Sequence, residues 1–407
     1  MQQLMVEHMR AIIHKYCFYE QFFNRKFVGL LSFMYDMKSQ LLFCSFVFYV
    51  SLAFGQETIP LKDALSLTEC KVSEFASSIE YIPLEDREEC LLSNELNVVV
   101  AEQDIFVHDA KENKVFRFDK TGKFMNLIGK RGQGPGEYNR IFGIYADDSS
   151  KECFLLEPFS NRINVYDYNG TFKRNIHVKC APTRMMKLGD NYVLNHSMMD
   201  VNKYELTLID SAGKTIKQAN QGGNQKVGLS FNFPVFYTSG GNVFYKNHLS
   251  EYIYLLDNNL KCKKVYWFDL GDKAINSEEN QYDLKKGSLN KGKAVVGTPS
   301  AYNDKIFIPY AYDKGRFFAV YNTTSKKLFT PGVSGKSGFI DDLTNGLPVN
   351  VPYVNYFTTL KENQLVSVIH MTDIADESFP DGKFKQVLDE YLLNEDSNPI
   401  IRIVNLK

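Results

Sequence analysis

The sequence predicts an all-β fold: a six-bladed β-propeller with four-stranded blades, its ring closed by an N-terminal strand that completes the C-terminal blade. Three observations predict it. An apolar strand ending in Asp or Asn, a turn and a second strand recur along the chain. They stand at Val115–Asp119 with Gly122, Ile163–Asp167 with Gly170, Leu206–Asp210 with Gly213, Tyr252–Asp257 with Asn258-Asn259, and Phe318–Asn322 with Thr323-Thr324. The first four turns follow one another at roughly 43–48 residues, the length of a four-stranded blade. Aromatic residues make up 14% of the chain, with 31 Phe and 24 Tyr, which suits a pleated, half-buried surface. In each Asp-x-x-Gly turn the Asp accepts backbone hydrogen bonds and Gly takes the positive φ, so the pattern reads as a β-hairpin.

Residues 1–55 are read as an N-terminal extension plus a secretory signal cleaved near 55/56. Met37-Lys38, the apolar run Leu41 to Phe54 and the small-x-small Ala53-Phe54-Gly55 have the order of such a signal. Met37 is the expected start of translation. An uncleaved membrane anchor is the alternative, although the apolar run is short for a full span. Five cysteines follow the cleavage point, Cys70, Cys90, Cys153, Cys180 and Cys262. With no Cys-x-x-Cys among them they read as buried small hydrophobes, with room for one disulfide.

The propeller domain is placed at residues 70–407. A polar lead precedes the strand Ile79–Leu84. Blade 1 follows, with strands near Leu96–Ala101, Asp104–Val107, Val115–Asp119 and Lys123–Ile128. Blades 2 to 5 are expected at Ile141–Val178, Arg184–Lys217, Val235–Leu270 and Ser300–Phe329. The sixth has Tyr353–Thr359, Gln364–His370 and Ile400–Leu406, and Ile79–Leu84 supplies its fourth strand, which would leave no free sheet edge at the joint. Phe384, Val387, Leu388, Tyr391 and Leu392 keep helical spacing, so a short surface helix is expected within 381–392. The Lys- and Asn-rich stretch at about 271–297 reads as a surface insertion.

One segment occurs once only: Gly132-Gln133-Gly134-Pro135-Gly136-Glu137-Tyr138. With Ile105-Phe106-Val107, Val115–Asp119, Gly122-Lys123-Phe124, Ile128-Gly129 and the closing Asn398-Pro399-Ile400-Ile401-Arg402-Ile403, it carries a resemblance. On these residues the chain resembles the bacterial secreted six-bladed propellers related to NHL-repeat proteins, common in gut Gram-negative bacteria that degrade polysaccharides. The resemblance spans about residues 70–407. It implies the fold and an extracytoplasmic setting, periplasm or cell surface, and brings no assigned reaction or catalytic residue. Many such relatives look like lipoproteins, whereas Cys44, preceded by Phe43 inside the apolar run, does not read as a lipid-attachment site.

The glycine-rich loop runs from the outer strand of blade 1 to the inner strand of blade 2, across a face on which ligands can sit. Its glycines permit positive φ and close approach, and Pro135 stiffens it. Arg131, Glu137, Tyr138 and Arg140 flank it. Arg and backbone N–H groups suit a carboxylate or an acidic or sulfated sugar, and Tyr138 is expected to stack on a sugar ring. The competing reading is that the loop only fixes the crossover between blades. The second strands of successive blades end on the same face, at His108-Asp109, Glu157, His196, Lys246 with His248, Pro309-Tyr310 and His370. His108, Glu157 and His196 are therefore further binding candidates.

No catalytic residue is assigned, and no metal or cofactor is expected. The net charge of -1 and the lack of a basic run argue against nucleic acid. A membrane would be met only through an uncleaved N-terminal segment. The expected function is a secreted binding module for a glycan, peptide or envelope protein. The alternative is a lyase or hydrolase using His108, His196, Glu157 or Arg131.

Overall fold

The computed structural model describes residues 56–64, 66–196, 204–220, 235–247, 250–274, 282–283, 288–289, 292–313, 315–351, 357–359, 361–374, 377–391 and 396–407. The chain divides into two compact units, Met1–Gln56 and Glu57–Lys407. The expected signal falls in the first of these and lies outside the described residues. His248 lies outside them too.

The recurring turn chemistry is present as read. Asp119 Oδ1 accepts the N–H groups of Thr121 (2.8 Å) and Lys123 (3.2 Å), and Gly122 donates to the Asp119 carbonyl (3.1 Å). Bonds of the same kind recur around Asp167 and Asp210. The turn glycines have φ of +87, +82 and +88°. At the last two turns Leu260 and Lys326 take the left-handed position instead, with φ of +54 and +59°. Asp257 and Asn322 still accept the turn N–H groups there.

These hairpins build an all-β propeller with blades of four strands. Blade 1 is Leu96–Val100, Asp104–Asp109, Lys114–Asp119 and Phe124–Leu127. Blade 2 is Gly143–Asp147, Glu152–Glu157, Arg162–Asp167 and Phe172–His177. Blade 3 is Arg184–Leu188, Asn191–Asn195, Leu206–Ile209 and Thr215–Ala219. Blade 4 is Phe236–Ser239, Asn242–Tyr245, Tyr252–Leu256 and Cys262–Phe268. Blade 5 has Lys305–Tyr312, Gly315–Asn322 and Leu328–Val333, with Ala294–Val296 and Ser300–Tyr302 sharing its inner edge. Its inner edge thus begins inside the stretch read as an insertion.

Among the described residues five four-stranded blades are present, not the expected six. Gln364–Ile369, Ile400–Leu406 and Ala76–Pro83 form a separate three-stranded sheet. The other strand expected there, Tyr353–Thr359, is described only at Phe357–Thr359, which adjoins Gln364–Ile369 but hydrogen-bonds in parallel to Leu96–Val100 of blade 1. Ala76–Pro83 and Ile400–Leu406 pair within this sheet, with Ile79 opposite Val404 and Pro83 opposite Ile400.

The core lies between adjacent sheets. Phe106, Ile144 and Leu155 belong to the cluster between blades 1 and 2, and Phe154, Ile163 and Leu194 to that between blades 2 and 3. Val98, Phe116, Ile401 and Ile403 share a cluster between blade 1 and the three-stranded sheet. The β-branched and aromatic residues of the inner strands meet neighbours on both faces, which is why Leu96–Val100 is buried throughout rather than alternating.

The polar lead is structural. Glu57–Ile59 adds in parallel to the outer strand of blade 4, and Leu67–Thr68 adds in parallel to that of blade 5. Ile59 and Leu61 are buried between those blades. The strap is pinned by charge as well, since Glu57 accepts from Tyr321 and pairs with Lys326 at 2.7 Å, and Lys62 pairs with Asp269 at 2.6 Å. The expected helix is Lys383–Glu390. Its Phe384 is buried against Tyr81, ring centroids 4.8 Å apart, and Lys383 donates to the Ile79 carbonyl at 2.7 Å. The described cysteines are all free.

Candidate functional site

The crossover Lys130–Arg140 folds as a braced loop. Gly132 donates to the Tyr138 carbonyl (2.9 Å) and Tyr138 to the Lys130 carbonyl (3.1 Å), closing its base. Glu137 turns inward, accepting from the Gly134 N–H at 2.8 Å and pairing with Lys130 at 2.9 Å. Gly136 has φ of +74° and stands where a Cβ would meet the Phe172 ring at 2.8 Å, so no larger residue fits there without a shift. Tyr166 donates its hydroxyl to the Gly136 carbonyl at 2.9 Å.

The loop's far end is held from both sides. Asn113, in the turn of blade 1, donates from Nδ2 to the Asn139 carbonyl (2.8 Å) and accepts from the Ile141 N–H (2.9 Å). Arg140 lies between those two anchored residues. From blade 2, Glu157 accepts the Asn139 N–H at 3.3 Å.

Between these elements opens a cleft of about 500 Å³. Ala110, Lys111 and Asn113 line it from the turn of blade 1, and Arg131, Asn139 and Arg140 from the crossover. Glu157, Phe159 and Ser160 line it from the turn of blade 2. Lys111, Arg131 and Arg140 are exposed, and none of the three has an ion-pair partner among the described residues. Arg140 lies over the Phe142 ring at 5.3 Å.

Three of the seven residues expected from sequence, Arg131, Arg140 and Glu157, line this one cleft. Glu137 braces the loop from within. Tyr138 is only 1% exposed, so it does not offer its ring to a sugar; burial pushes its hydroxyl up to about 12. The reason is local: its main chain closes the base of the loop, and its side chain packs with Val115, Ile128 and Ile141 between blades 1 and 2.

His108, Glu157 and His196 end equivalent strands, but their side chains bond separately, and His108 Nε2 and His196 Nδ1 are buried without a hydrogen-bond partner. His108 is buried against Asn97 (Nδ1 to Nδ2, 3.2 Å) and His196 against Thr207 (2.9 Å). Burial lowers both imidazoles to about 4, so they are neutral near pH 7. Glu157 accepts from Arg162 at 3.0 Å, Ser160 at 2.8 Å and the Asn164 amide. Such a carboxylate positions the turn and has little capacity left for a ligand. Among the described residues no three His, Cys, Asp or Glu side chains gather as a metal-binding group.

Sequence reading missed Lys111, Phe159 and Asn139 at the cleft. Phe159 stands at the tip of the turn Pro158–Ser160 with 57% of its surface exposed. The signal for it was Glu157-Pro158-Phe159-Ser160-Asn161, an aromatic residue inside a Pro- and Asn-bounded turn.

The fold defines an all-β propeller with a cation-lined cleft over one crossover. The chain belongs to the family described as domain of unknown function DUF4934, which matches residues 56–405. It is similar in structure to a candidate exported protein of Bacteroides fragilis NCTC 9343, with a TM-score of 0.65 at 19% identity, covering 86% of this chain and 99% of that one. A member of the DUF4221 family from Bacteroides vulgatus ATCC 8482 matches with a TM-score of 0.45 at 10% identity, covering 82% and 97%. A streptogramin B lyase matches with 0.42 at 10%, covering 81% and 98%. No curated protein matches the chain.

Proposed function

We propose that this protein is an extracytoplasmic binding module, a rigid propeller holding the acidic group of a glycan, peptide or envelope partner in the cleft between blades 1 and 2. The observation that carries it is the set of three cations, Lys111, Arg131 and Arg140, gathered at one cleft with no counter-charge among the described residues spent on them. Arg presents a planar fork suited to a carboxylate or sulfate. The braced loop holds Arg131 and Arg140 in place before a ligand arrives, which lowers the ordering cost of binding. An exported setting is supported by the apolar run before Gln56 and by the likeness to the exported Bacteroides fragilis candidate. Hydrolase or lyase chemistry is the weaker reading, because Glu157 is saturated and each imidazole is buried away from the cleft, bonded at one ring nitrogen within its own blade.

The module is read as a closed six-bladed, NHL-like ring whose three-stranded sheet serves as the sixth blade. Two features support this. The Gly170 turn packs on Leu127 of blade 1, the Gly213 turn on Ile176 of blade 2, and the Gly122 turn likewise on Pro83 of the three-stranded sheet. Core clusters also flank that sheet on both sides.

The test is a binding titration of acidic polymers at low and moderate salt, with the double variant Arg131→Ala/Arg140→Ala as control. Wild type is expected to retain at least one acidic polymer, at an affinity that falls with salt, and the double variant to lose about tenfold or more. Equal retention by the two proteins would sink the reading.

A further inference from the structure

We infer that the ligand of this cleft is an acidic saccharide and that Phe159 is its stacking platform. The inference rests on the reading that the cleft binds an anionic group. The turn that carries Phe159 is rigid: Pro158 is buried beneath it, Ser160 is tied to Glu157 at 2.8 Å, and Asn161 donates its N–H to the Pro158 carbonyl at 3.2 Å. Asn161 ends the turn with φ of +50°. One side of the Phe159 ring is fixed edge-on by Phe142, centroids 5.0 Å apart at 84°, and Phe142 in turn lies beneath Arg140. A large aromatic ring is thus held in solvent beside a cationic fork.

The rest of the lining decides between a saccharide and a peptide. Apart from Phe159 and Ala110, every lining residue is polar or charged. An acidic peptide can be held by an arginine cluster through its charge, but that mode leaves the exposed Phe159 ring unused, and the cleft is built from turns and a crossover. A sugar ring needs one flat apolar surface for its C–H face, polar groups for its hydroxyls and cations for its acid. Phe159 supplies the first, the exposed Asn139 amide the second, and Arg131, Arg140 and Lys111 the third.

The experiment compares polygalacturonate, dextran sulfate, neutral dextran and poly-L-glutamate on wild type, Phe159→Ala, Phe159→Tyr and Arg131→Ala/Arg140→Ala. Thermal melts establish that each variant is folded. Wild type is expected to retain at least one of the two acidic saccharides, to ignore dextran, and to hold poly-L-glutamate about tenfold more weakly or less. Phe159→Ala should lower saccharide affinity about tenfold with the salt dependence unchanged, and Phe159→Tyr should keep it. If poly-L-glutamate binds as tightly as the saccharides, or Phe159→Ala binds like wild type, the saccharide inference fails while the anionic cleft stands. If no acidic polymer is retained, or the arginine double variant retains it equally, the cleft reading fails with it.

Discussion

A Cβ on Gly122 would lie 1.9 Å from the carbonyl oxygen of Pro83, although 39 positions separate the two in sequence. The turn of blade 1 therefore sits directly on the strand Ala76–Pro83. Gly122→Ala forces both a strained φ and a backbone clash, and about 3 kcal/mol or more of stability should be lost. Gly335, with φ of +79° and open space around it, is the control. Gly335→Ala should cost only about 1 kcal/mol. Urea unfolding of the two variants measures the difference, and equal losses would argue against close packing at Pro83.

The strap should matter as much as the blades. Ile59 is completely buried between blades 4 and 5. Ile59→Ala is expected to cost about 2–5 kcal/mol, whereas Ile216→Ala, on an exposed outer strand, should stay within about 0.5 kcal/mol. Denaturant midpoints of both variants check this. A strap that only drapes over the surface would give similar small losses for the two.

Acid should weaken the fold through two imidazoles. His108 and His196 stand at about 4 in the folded chain against 6.5 when unfolded. Their folded values are depressed, so the unfolded chain takes up protons first as pH falls. The stability they contribute is complete above about pH 6.5 and is lost progressively toward pH 4, by at most about 3 kcal/mol for each. His196→Gln should flatten the fall in melting temperature between pH 6.5 and 4. An unchanged slope in that variant would mean that His196 does not titrate with unfolding.

Asn113 should link the blade 1 turn to ligand binding without touching charge. Asn113→Gly keeps the left-handed backbone position but removes both bonds to the crossover. Stability should fall by about 1–2 kcal/mol, and affinity for an acidic polymer should fall although Lys111, Arg131 and Arg140 are intact. Undiminished affinity would show that the cations need no such support.

The site was half legible. Arg131 and Arg140 can be found from sequence because a glycine-rich segment between two hairpins must be a crossover, and charged residues flanking it have few places to go but the surface. Tyr138 misleads, because whether an aromatic residue beside a glycine loop points into the seam between blades depends on the neighbouring blade. Phe159 escapes notice for the same reason: an aromatic residue in a turn reads as core until the turn's rigid, outward tip is seen.

The hairpins, their spacing and the all-β propeller follow from the order of amino acids alone. Those features rest on short-range chemistry: an Asp or Asn that accepts its own turn's N–H groups, and apolar alternation on each strand. Long-range packing settled the rest. It set the lead before residue 76 as a strap on blades 4 and 5, and it turned Glu157 from a candidate ligand group into a saturated brace. It also gave the hydrogen-bond ladder of Phe357–Thr359 to Leu96–Val100 of blade 1 rather than to Gln364–Ile369, which it adjoins. Strand pairing across such distances depends on which edges are free once every sheet is in place, and no local pattern records that.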